Sequence, residues 1–203
     1  KDYIYPAFAA GAIYEGRYLL GTSLARPLIA KAQIEVAQKE NAAFVAHGAT
    51  GKGNDQIRFE LTYYALQPDI QVLSPWKMPE FLGEFKGRSD MLDFADKHQI
   101  PVTASRKKPY SEDDNLLHIS HEAGILEDPS AICDEEIYSR TVSPEKAPDI
   151  PEFITLSFKN GYPIRLKFLD GEAVIEGDLQ IFNALNDLGS KHGIGRLDMV
   201  ENR

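Results

Sequence analysis

Apolar residues in the first hundred positions fall into two patterns, short continuous runs and helical spacings. Runs at 44–46 and at Val72 and Leu73 predict buried strands, because neither is long enough for a helix. Between them a helix is predicted over 54–66, where one apolar face is formed by Ile57, Leu61, Tyr64 and Ala65. Strands that alternate with helices at this spacing predict a parallel sheet with crossover helices.

Two more helices and a third strand are predicted around this unit. Proline is favoured at the first helical position, so we expect a helix from about Pro27 to about Asn41, with Ser23 and Arg26 at its entrance rather than inside it. Its apolar stripe is formed by Leu28, Ile29, Ala32, Val36 and Ala37. A helix over 87–97, with Met91, Leu92 and Ala95 inward, and a strand over 100–103 are also predicted.

The pattern changes near residue 105, where a domain boundary is predicted. Residues 107–115 are polar and turn-forming and predict a link, and 116–121 are expected to be extended. Four prolines without sustained periodicity predict a long excursion over 127–151. Strands are predicted over 153–158 and 162–168, joined in a tight hairpin by Asn160 and Gly161.

A turn at Asp170 and Gly171 is expected to lead into a strand over 173–175. The helix that follows from about Asp178 should end at Gly193 or Gly195. Its inward residues are predicted to be Leu179, Phe182, Leu185 and Leu188. The pattern as a whole predicts an α/β domain with a parallel sheet over 1–105, followed by an α+β domain with an antiparallel sheet over 106–203.

A glycine-rich loop precedes the helix predicted at 54–66. Gly48, Gly51 and Gly53 lie within six residues, so the backbone can approach a ligand, and the helix start would direct unpaired N–H groups at an anion. The loop therefore suits phosphate or carboxylate; the alternative is a turn whose glycines serve only packing. The Walker pattern fails because Gly53 stands where Ser or Thr is needed, and the dinucleotide fingerprint lacks its third glycine.

Composition narrows the classes of function. A net charge of −9 argues against nucleic acid as a partner, since phosphate-backbone binding needs a basic face. No apolar run approaches the roughly 20 residues of a membrane span, no signal peptide is recognisable, and Cys133 is the single cysteine, so we expect a cytoplasmic protein. His118 and His121 would lie on opposite faces of a strand, and Glu122 and Cys133 do not complete a ligand set, so no metal site is predicted.

Four segments resemble the argininosuccinate synthase family: YLLGTSLARP at 18–27, AHGATGKGNDQIRFE at 46–60, NLLHISHEAG at 115–124 and GIGRLDMVENR at 193–203. The likeness runs along the whole chain and is weakest over 127–150. It implies a nucleotide-binding α/β domain like that of the adenine nucleotide alpha hydrolases, followed by an α+β synthetase domain. It covers only the middle of the family's chain, and both ends of the sequence look cut, so we expect a piece of a larger protein.

The resemblance implies a ligase that joins citrulline to aspartate and cleaves ATP to AMP and pyrophosphate. In the family's reaction the ureido oxygen of citrulline attacks the α-phosphate, and the amine of aspartate then displaces AMP from the citrullyl-adenylate. ATP as co-substrate, Mg²⁺ on the nucleotide and a homotetramer are implied as well. This chemistry depends on positioning and charge stabilisation rather than on a protein nucleophile, so no catalytic residue is assigned.

The resemblance also assigns substrate contacts. Citrulline contacts fall on Tyr18, Ser23, Asn54, Arg58, Ser111, Ser120 and Glu201. Aspartate contacts fall on Thr50, Asn54 and Asp55, and an ATP contact falls on Gly48. Arg26 is added from the residues alone, as a cation beside a helix start that suits phosphate charge; the alternative is a solvated surface arginine.

One departure from the family concerns its Ser-Gly-Gly-x-Asp-Ser pyrophosphate loop, which this sequence does not contain. We therefore expect these 203 residues alone to form no argininosuccinate. Two alternatives stay open, a noncatalytic amino-acid-binding module and a different ATP pyrophosphatase of the same fold. The second is disfavoured, because such an enzyme is expected to lack Glu201 and the serines of the second domain.

Overall fold

The structure, a computed structural model, describes residues 1–102 and 110–200 of the chain. The chain divides into two units, one formed by Tyr18–Ser120 and the other by Lys1–Arg17 together with His121–Arg203. The domain boundary predicted near residue 105 lies outside the described residues and stays a prediction.

Six helices and nine strands are present in the described residues, with four short 3-10 turns between them. The helices are α1 (Ile4–Ala9), α2 (Gly21–Lys39), α3 (Asn54–Leu66), α4 (Pro79–Glu84), α5 (Arg88–Lys97) and α6 (Asp178–Lys191). The strands are β1 (Ile13–Tyr14), β2 (Tyr18–Leu19), β3 (Phe44–Ala46), β4 (Gln71–Leu73), β5 (Ser111–Asp114), β6 (Ile119–Glu122), β7 (Ile154–Lys159), β8 (Tyr162–Phe168) and β9 (Val174–Glu176). The 3-10 turns are Pro75–Lys77, Gly124–Glu127, Glu135–Ile137 and Pro144–Lys146.

A β–α–β element organises the unit formed by Tyr18–Ser120. Strands β3 and β4 pair in parallel, with Val45 opposite Val72, and α3 connects them. The predicted strands, the helix over 54–66 and the parallel sheet are therefore confirmed. The buried core of this unit consists of Ala30, Ile34, Ala37, Val45, Tyr63 and Ile70.

Helix α2 begins at Gly21, six residues before the predicted start, and Pro27 lies inside it. The prediction that Ser23 and Arg26 lie outside the helix is therefore wrong, because both belong to its first two turns. An interior proline removes one hydrogen bond of the helix ladder and crowds the carbonyl four residues earlier, a cost that other contacts can offset. The backbone N–H of Gly21 is anchored by a side chain 97 residues away, which stabilises the additional turns.

The predicted apolar face of α3 is not the buried one, and of the stripe predicted for α2 only Ala37 is buried. Val36 is 59% exposed and Leu61 is 64% exposed, whereas Ile34 is 2% exposed and Tyr63 is fully buried. Each helix carries two apolar stripes offset by one or two positions, and helical periodicity alone cannot rank them. In the structure α2 packs against α3 and β3, and this packing selects the stripe that contains Ile34.

Three predicted segments differ from the structure. Residues 100–102 form no strand; the backbone N–H of Ile100 instead bonds the Ala95 carbonyl and closes α5 at 2.9 Å. The polar link was predicted over 107–115, but residues 111–114 of it form strand β5. Residues 107–109 lie outside the described residues. Residues 116–118 are a turn and not extended, because the Asn115 side chain accepts two backbone N–H groups there.

The antiparallel sheet predicted in the second half is confirmed. Strands β7 and β8 pair antiparallel around Asn160 and Gly161, and β9 joins the other edge of β8. Both turn residues have positive φ, 52° and 81°, as a type I′ hairpin turn requires. Only short 3-10 turns occur over 127–151, which agrees with the predicted excursion.

Helix α6 packs on β8 and β9 and confirms the helix predicted from Asp178. Its fully buried residue is Ile181, whereas Leu179 is 54% exposed, so the inward placement of Leu179 is wrong. Met91 on α5 is likewise 40% exposed, while Ala95 is buried as predicted. The helix ends before Gly193, whose φ of 64° is the left-handed conformation of a helix C-terminus.

None of the helices in the described ranges combines the length and hydrophobicity that a membrane-spanning helix needs.

The core assignment predicts a contrast between neighbouring positions on α2. Ile34→Ala should lower the free energy of unfolding by ~2–5 kcal/mol, because it leaves a cavity in the packed core. Val36→Ala is the matched control and should change it by less than ~0.5 kcal/mol, since Val36 is 59% exposed. Chemical denaturation of the chain measures both values, and equal losses would contradict the assigned core.

Candidate functional site

The glycine-rich loop occupies 47–53, between the end of β3 and the start of α3. Its glycines have different roles. A Cβ on Gly51 would lie 3.0 Å from the Trp76 carbonyl oxygen, so this glycine permits close packing against the turn Pro75–Lys77. A Cβ on Gly48 would meet nothing within 4 Å. The backbone at Gly48 is therefore open to a ligand, while Gly51 serves packing.

His47 fixes the first half of the loop. Its Nδ1 accepts a hydrogen bond from the Ala49 backbone N–H at 3.2 Å, so the ring proton lies on Nε2. Nε2 faces Glu60 Oε1 at 3.2 Å and donates to it. The ring also stacks on Phe59, with centroids 5.4 Å apart. A side chain at the end of β3 thus ties the loop backbone to helix α3.

Glu60 is the charged end of this connection. Lys77 Nζ lies 3.1 Å from Oε1 and 3.2 Å from Oε2. Burial raises the pKa of Glu60, but hydrogen bonds from Lys77, Gln56 and His47 outweigh it, and the net result is a pKa below 4.5. Burial, together with the Glu60 charge, raises the pKa of Tyr63 to about 12. Both groups therefore keep their ordinary charge states at neutral pH.

Asp55, in the first turn of α3, is shared by two arginines. Its Oδ2 accepts from Arg26 Nε at 2.8 Å and its Oδ1 accepts from an Arg58 guanidinium N–H at 2.7 Å. Asp113 Oδ1 on β5 accepts from Arg26 Nη2 at 3.2 Å. All four side chains are only 21–38% exposed. This ion-pair network joins α2, α3 and β5.

A second cluster lies around the start of α2. The Tyr18 ring packs edge-on against the His118 ring, with centroids 4.8 Å apart. The Gly21 backbone N–H donates to His118 Nε2 at 3.2 Å. Spacing in the sequence could not identify this contact, because the partners are nearly a hundred residues apart. The turn at 115–118 did have a signal in the sequence, because asparagine side chains often bond the backbone two residues on, as Asn115 does here.

The structure brings some of the predicted site residues together. Arg26, Asp55 and Arg58 form one ion-pair network. Asn54 is the exposed first residue of α3, and Ser23 lies half-buried in α2. The remaining predicted contacts lie on strands β2, β5 and β6 and in the loop: Tyr18, Ser111, Ser120, Gly48 and Thr50. Glu201 lies outside the described residues.

Over residues 1–102 and 110–200, no group of three or more His, Cys, Asp and Glu side chains is arranged to hold a metal ion.

Two family models match the chain, and together they span nearly all of it. The first is described as the arginosuccinate synthase N-terminal HUP domain and matches residues 1–101. The second is described as the arginosuccinate synthase C-terminal domain and matches residues 110–203. The chain belongs to the argininosuccinate synthase family. The resemblance and the α/β plus synthetase-domain fold expected from the sequence are thereby confirmed.

Curated relatives in the argininosuccinate synthase family are similar over the whole chain. The argininosuccinate synthase of Thermotoga maritima is 57% identical over 202 residues, which are 100% of this chain and 49% of the relative. That of Pseudothermotoga lettingae is 58% identical and that of Homo sapiens 50%, again over 100% of this chain and 48% and 49% of the relatives. The chain therefore spans about half the length of the curated relatives it matches.

The Glu60 ion pair predicts a pH-dependent loss of stability. Glu60→Gln should lower the free energy of unfolding by about 1 kcal/mol at pH 7, because Lys77, itself 43% exposed, loses a charged partner. The carboxylate has a lowered pKa, so its contribution is present above pH 4.5 and is lost as the pH falls through the folded-state value.

Urea denaturation of both proteins at pH 7 and at about pH 3 measures this effect, with the exposed Glu40→Gln as control. A difference between wild type and Glu60→Gln that is the same at both pH values would contradict the assigned ion pair.

Proposed function

We propose that the chain is part of an argininosuccinate synthase. It would ligate citrulline to aspartate with ATP, through a citrullyl-adenylate, and release argininosuccinate, AMP and pyrophosphate in arginine biosynthesis. Family membership over the whole chain supports the reaction. The paired charges of Asp55 and Arg58 support the substrate class, and they are the observation on which the assignment of the site rests.

A carboxylate beside a guanidinium is the complement of an α-amino acid, which carries one charge of each sign. In the proposed complex the citrulline carboxylate binds the planar fork of Arg58, and Asp55 receives the ammonium group of aspartate. The two side chains lie 2.7 Å apart without substrate, so substrate charges would replace a contact that the protein already makes. Glu201 is proposed to hold a second ammonium group.

The other assigned residues orient neutral parts of the substrates. Ser23, Ser111 and Ser120 offer hydroxyls and Asn54 an amide, and Tyr18 offers a phenol, for citrulline. Thr50 and Asn54 are proposed to bind aspartate. Gly48, whose backbone is open to solvent, is the proposed ATP contact, and the nearby start of α3 favours an anion.

The chemistry then needs placement rather than a protein nucleophile. The citrulline ureido oxygen forms a bond to the α-phosphorus, and the bond from that phosphorus to the bridging oxygen of pyrophosphate breaks. The aspartate amine next attacks the ureido carbon, AMP departs with the ureido oxygen, and the amine proton passes to solvent. Fixed dipoles and charges would lower both barriers.

The sequence predicts that Arg26 binds phosphate charge. Its guanidinium bonds Asp55 at 2.8 Å and Asp113 at 3.2 Å, and these two carboxylates offset its charge. A contact with ATP would require Arg26 to exchange one carboxylate for a phosphate oxygen.

Three further features belong to the proposal. Mg²⁺ is expected to arrive with the nucleotide phosphates; the carboxylates of the network are already paired with arginines, so no protein site for it is assigned. The family likeness supports a homotetramer and a cytoplasmic location.

Pyrophosphate release by the full-length gene product tests the reaction. Release should require citrulline and ATP together, and argininosuccinate should form once aspartate is added. A protein that binds citrulline but releases no pyrophosphate would instead be the noncatalytic amino-acid-binding module. Pyrophosphate release with another acceptor in place of citrulline would indicate a different ATP pyrophosphatase.

Arg58→Ala tests the citrulline assignment in the same protein. The change should weaken citrulline binding about 10- to 100-fold, because hydrogen bonds to a charged group are lost at a partly buried site. Isothermal titration calorimetry measures the affinity, and Arg88→Ala, at an exposed position on α5, is the matched control. An unchanged citrulline affinity would refute the role of Arg58.

A further inference from the structure

We infer that His118 is a positioning residue, which holds the start of helix α2 against residues 115–120 and so orients Tyr18, Ser23 and Ser120 toward citrulline. The inference rests on the proposed function, because it takes these residues as the citrulline contacts. All the contacts that carry it lie within the unit formed by Tyr18–Ser120.

The hydrogen bonds of His118 define its protonation state. Nε2 accepts from the Gly21 backbone N–H at 3.2 Å, and a protonated nitrogen cannot accept. The ring must therefore be neutral, with its proton on Nδ1. The backbone of Leu19 also hydrogen-bonds the ring. One imidazole thus links two backbone positions on either side of Leu20, where β2 gives way to α2.

The hydrogen bond from Gly21 to His118 caps the start of α2. Gly21 is the first residue of the helix, and the preceding N-cap residue, Leu20, makes no side-chain capping bond. The first N–H groups of a helix have no partner within it. His118 Nε2 is the acceptor for the N–H group of Gly21. The His118 ring also packs against the Tyr18 ring, with centroids 4.8 Å apart. Ser23 follows in the same helical turn, so its position depends on the same anchor.

The backbone of His118 is fixed as firmly as its ring. Asn115 Oδ1 accepts from the backbone N–H groups of Leu117 at 2.9 Å and His118 at 3.0 Å, and the Asn115 N–H bonds the His118 carbonyl at 3.0 Å. The Asn115 amide also fills the space beside Gly21, where a Cβ would approach its Oδ1 to 2.2 Å. Ser120, two residues beyond His118, is carried by this closed turn.

Protonation of His118 at acidic pH should break its hydrogen bond with the Gly21 N–H. Burial lowers the pKa of His118 below 6.5, although the Leu19 backbone and the charges of Asp113 and Asp114 on β5 act in the opposite direction. Asp113 is itself paired with Arg26, and Tyr18 is a titratable residue whose ring contacts that of His118. The neutral form therefore predominates at pH 7, and the Gly21 bond is lost as the pH falls through the lowered value.

Three variants of the full-length gene product test the inference through steady-state kinetics. His118→Phe keeps a ring against Tyr18 but removes the acceptor, so it should raise the KM for citrulline roughly three- to tenfold, with the KM values for ATP and aspartate within about twofold of wild type. His118→Gln retains an acceptor oxygen for Gly21 and should recover most of the loss. His98→Gln, at an exposed position, is the control.

The pH profile separates positioning from general stability. From pH 7.5 down to the lowest pH at which both proteins stay folded, the wild-type kcat/KM for citrulline should fall more steeply than that of His118→Gln, because an amide does not titrate and the aspartates are common to both proteins. Thermal unfolding is recorded for every variant. If His118→Phe does not fold, the pH dependence of His118→Gln tests the inference. A decrease in its kcat/KM at acidic pH as steep as that of wild type would overturn the inference.

An unchanged citrulline KM in folded His118→Phe overturns the inference alone, since the active wild type would still support the proposed function. Equal increases in all three KM values in both His118 variants, in step with lower unfolding temperatures, also overturn it. A wild-type protein without citrulline-dependent pyrophosphate release overturns the proposed function and the inference together.

Discussion

The carboxylate of Asp55, shared by Arg26 and Arg58, is the interaction on which the arrangement of the candidate site depends. It joins the first two turns of α2 to the first two turns of α3, and the contact of Arg26 with Asp113 extends the network to β5. A partly buried carboxylate between two guanidinium groups is costly to leave unpaired. These ion pairs therefore fix the positions of α2, α3 and β5 relative to one another. They also place charges of both signs near the glycine-rich loop.

Two neutral histidines complete this arrangement by accepting backbone N–H groups. His47 accepts from Ala49 and steadies the loop, while His118 accepts from Gly21 and steadies the start of α2. In both cases the hydrogen bond requires one tautomer, so each histidine acts as an oriented dipole and not as a charge. Fixed dipoles and an open backbone at Gly48 suit a reaction whose barriers depend on placement.

Local features of the chain could be predicted from the sequence, and long-range ones could not. The hairpin at Asn160 and Gly161 has a strong local signal, and so does the β3–α3–β4 element. The start of α2 was misplaced because Pro27 is a local signal, whereas the stabilising contact comes from His118. The buried stripe of α2 is selected by packing against α3 and β3, which periodicity cannot reveal.

The same division applies to the site. Family likeness supplied the proposed ligands of Asp55 and Arg58, which lie three residues apart on α3. No spacing rule connects Arg26 with Asp113. A crystal structure of the full-length protein with citrulline and aspartate tests the central claim most directly. The citrulline carboxylate should lie on the Arg58 guanidinium and the aspartate ammonium group on Asp55. Both amino acids bound without contact to either side chain would contradict it.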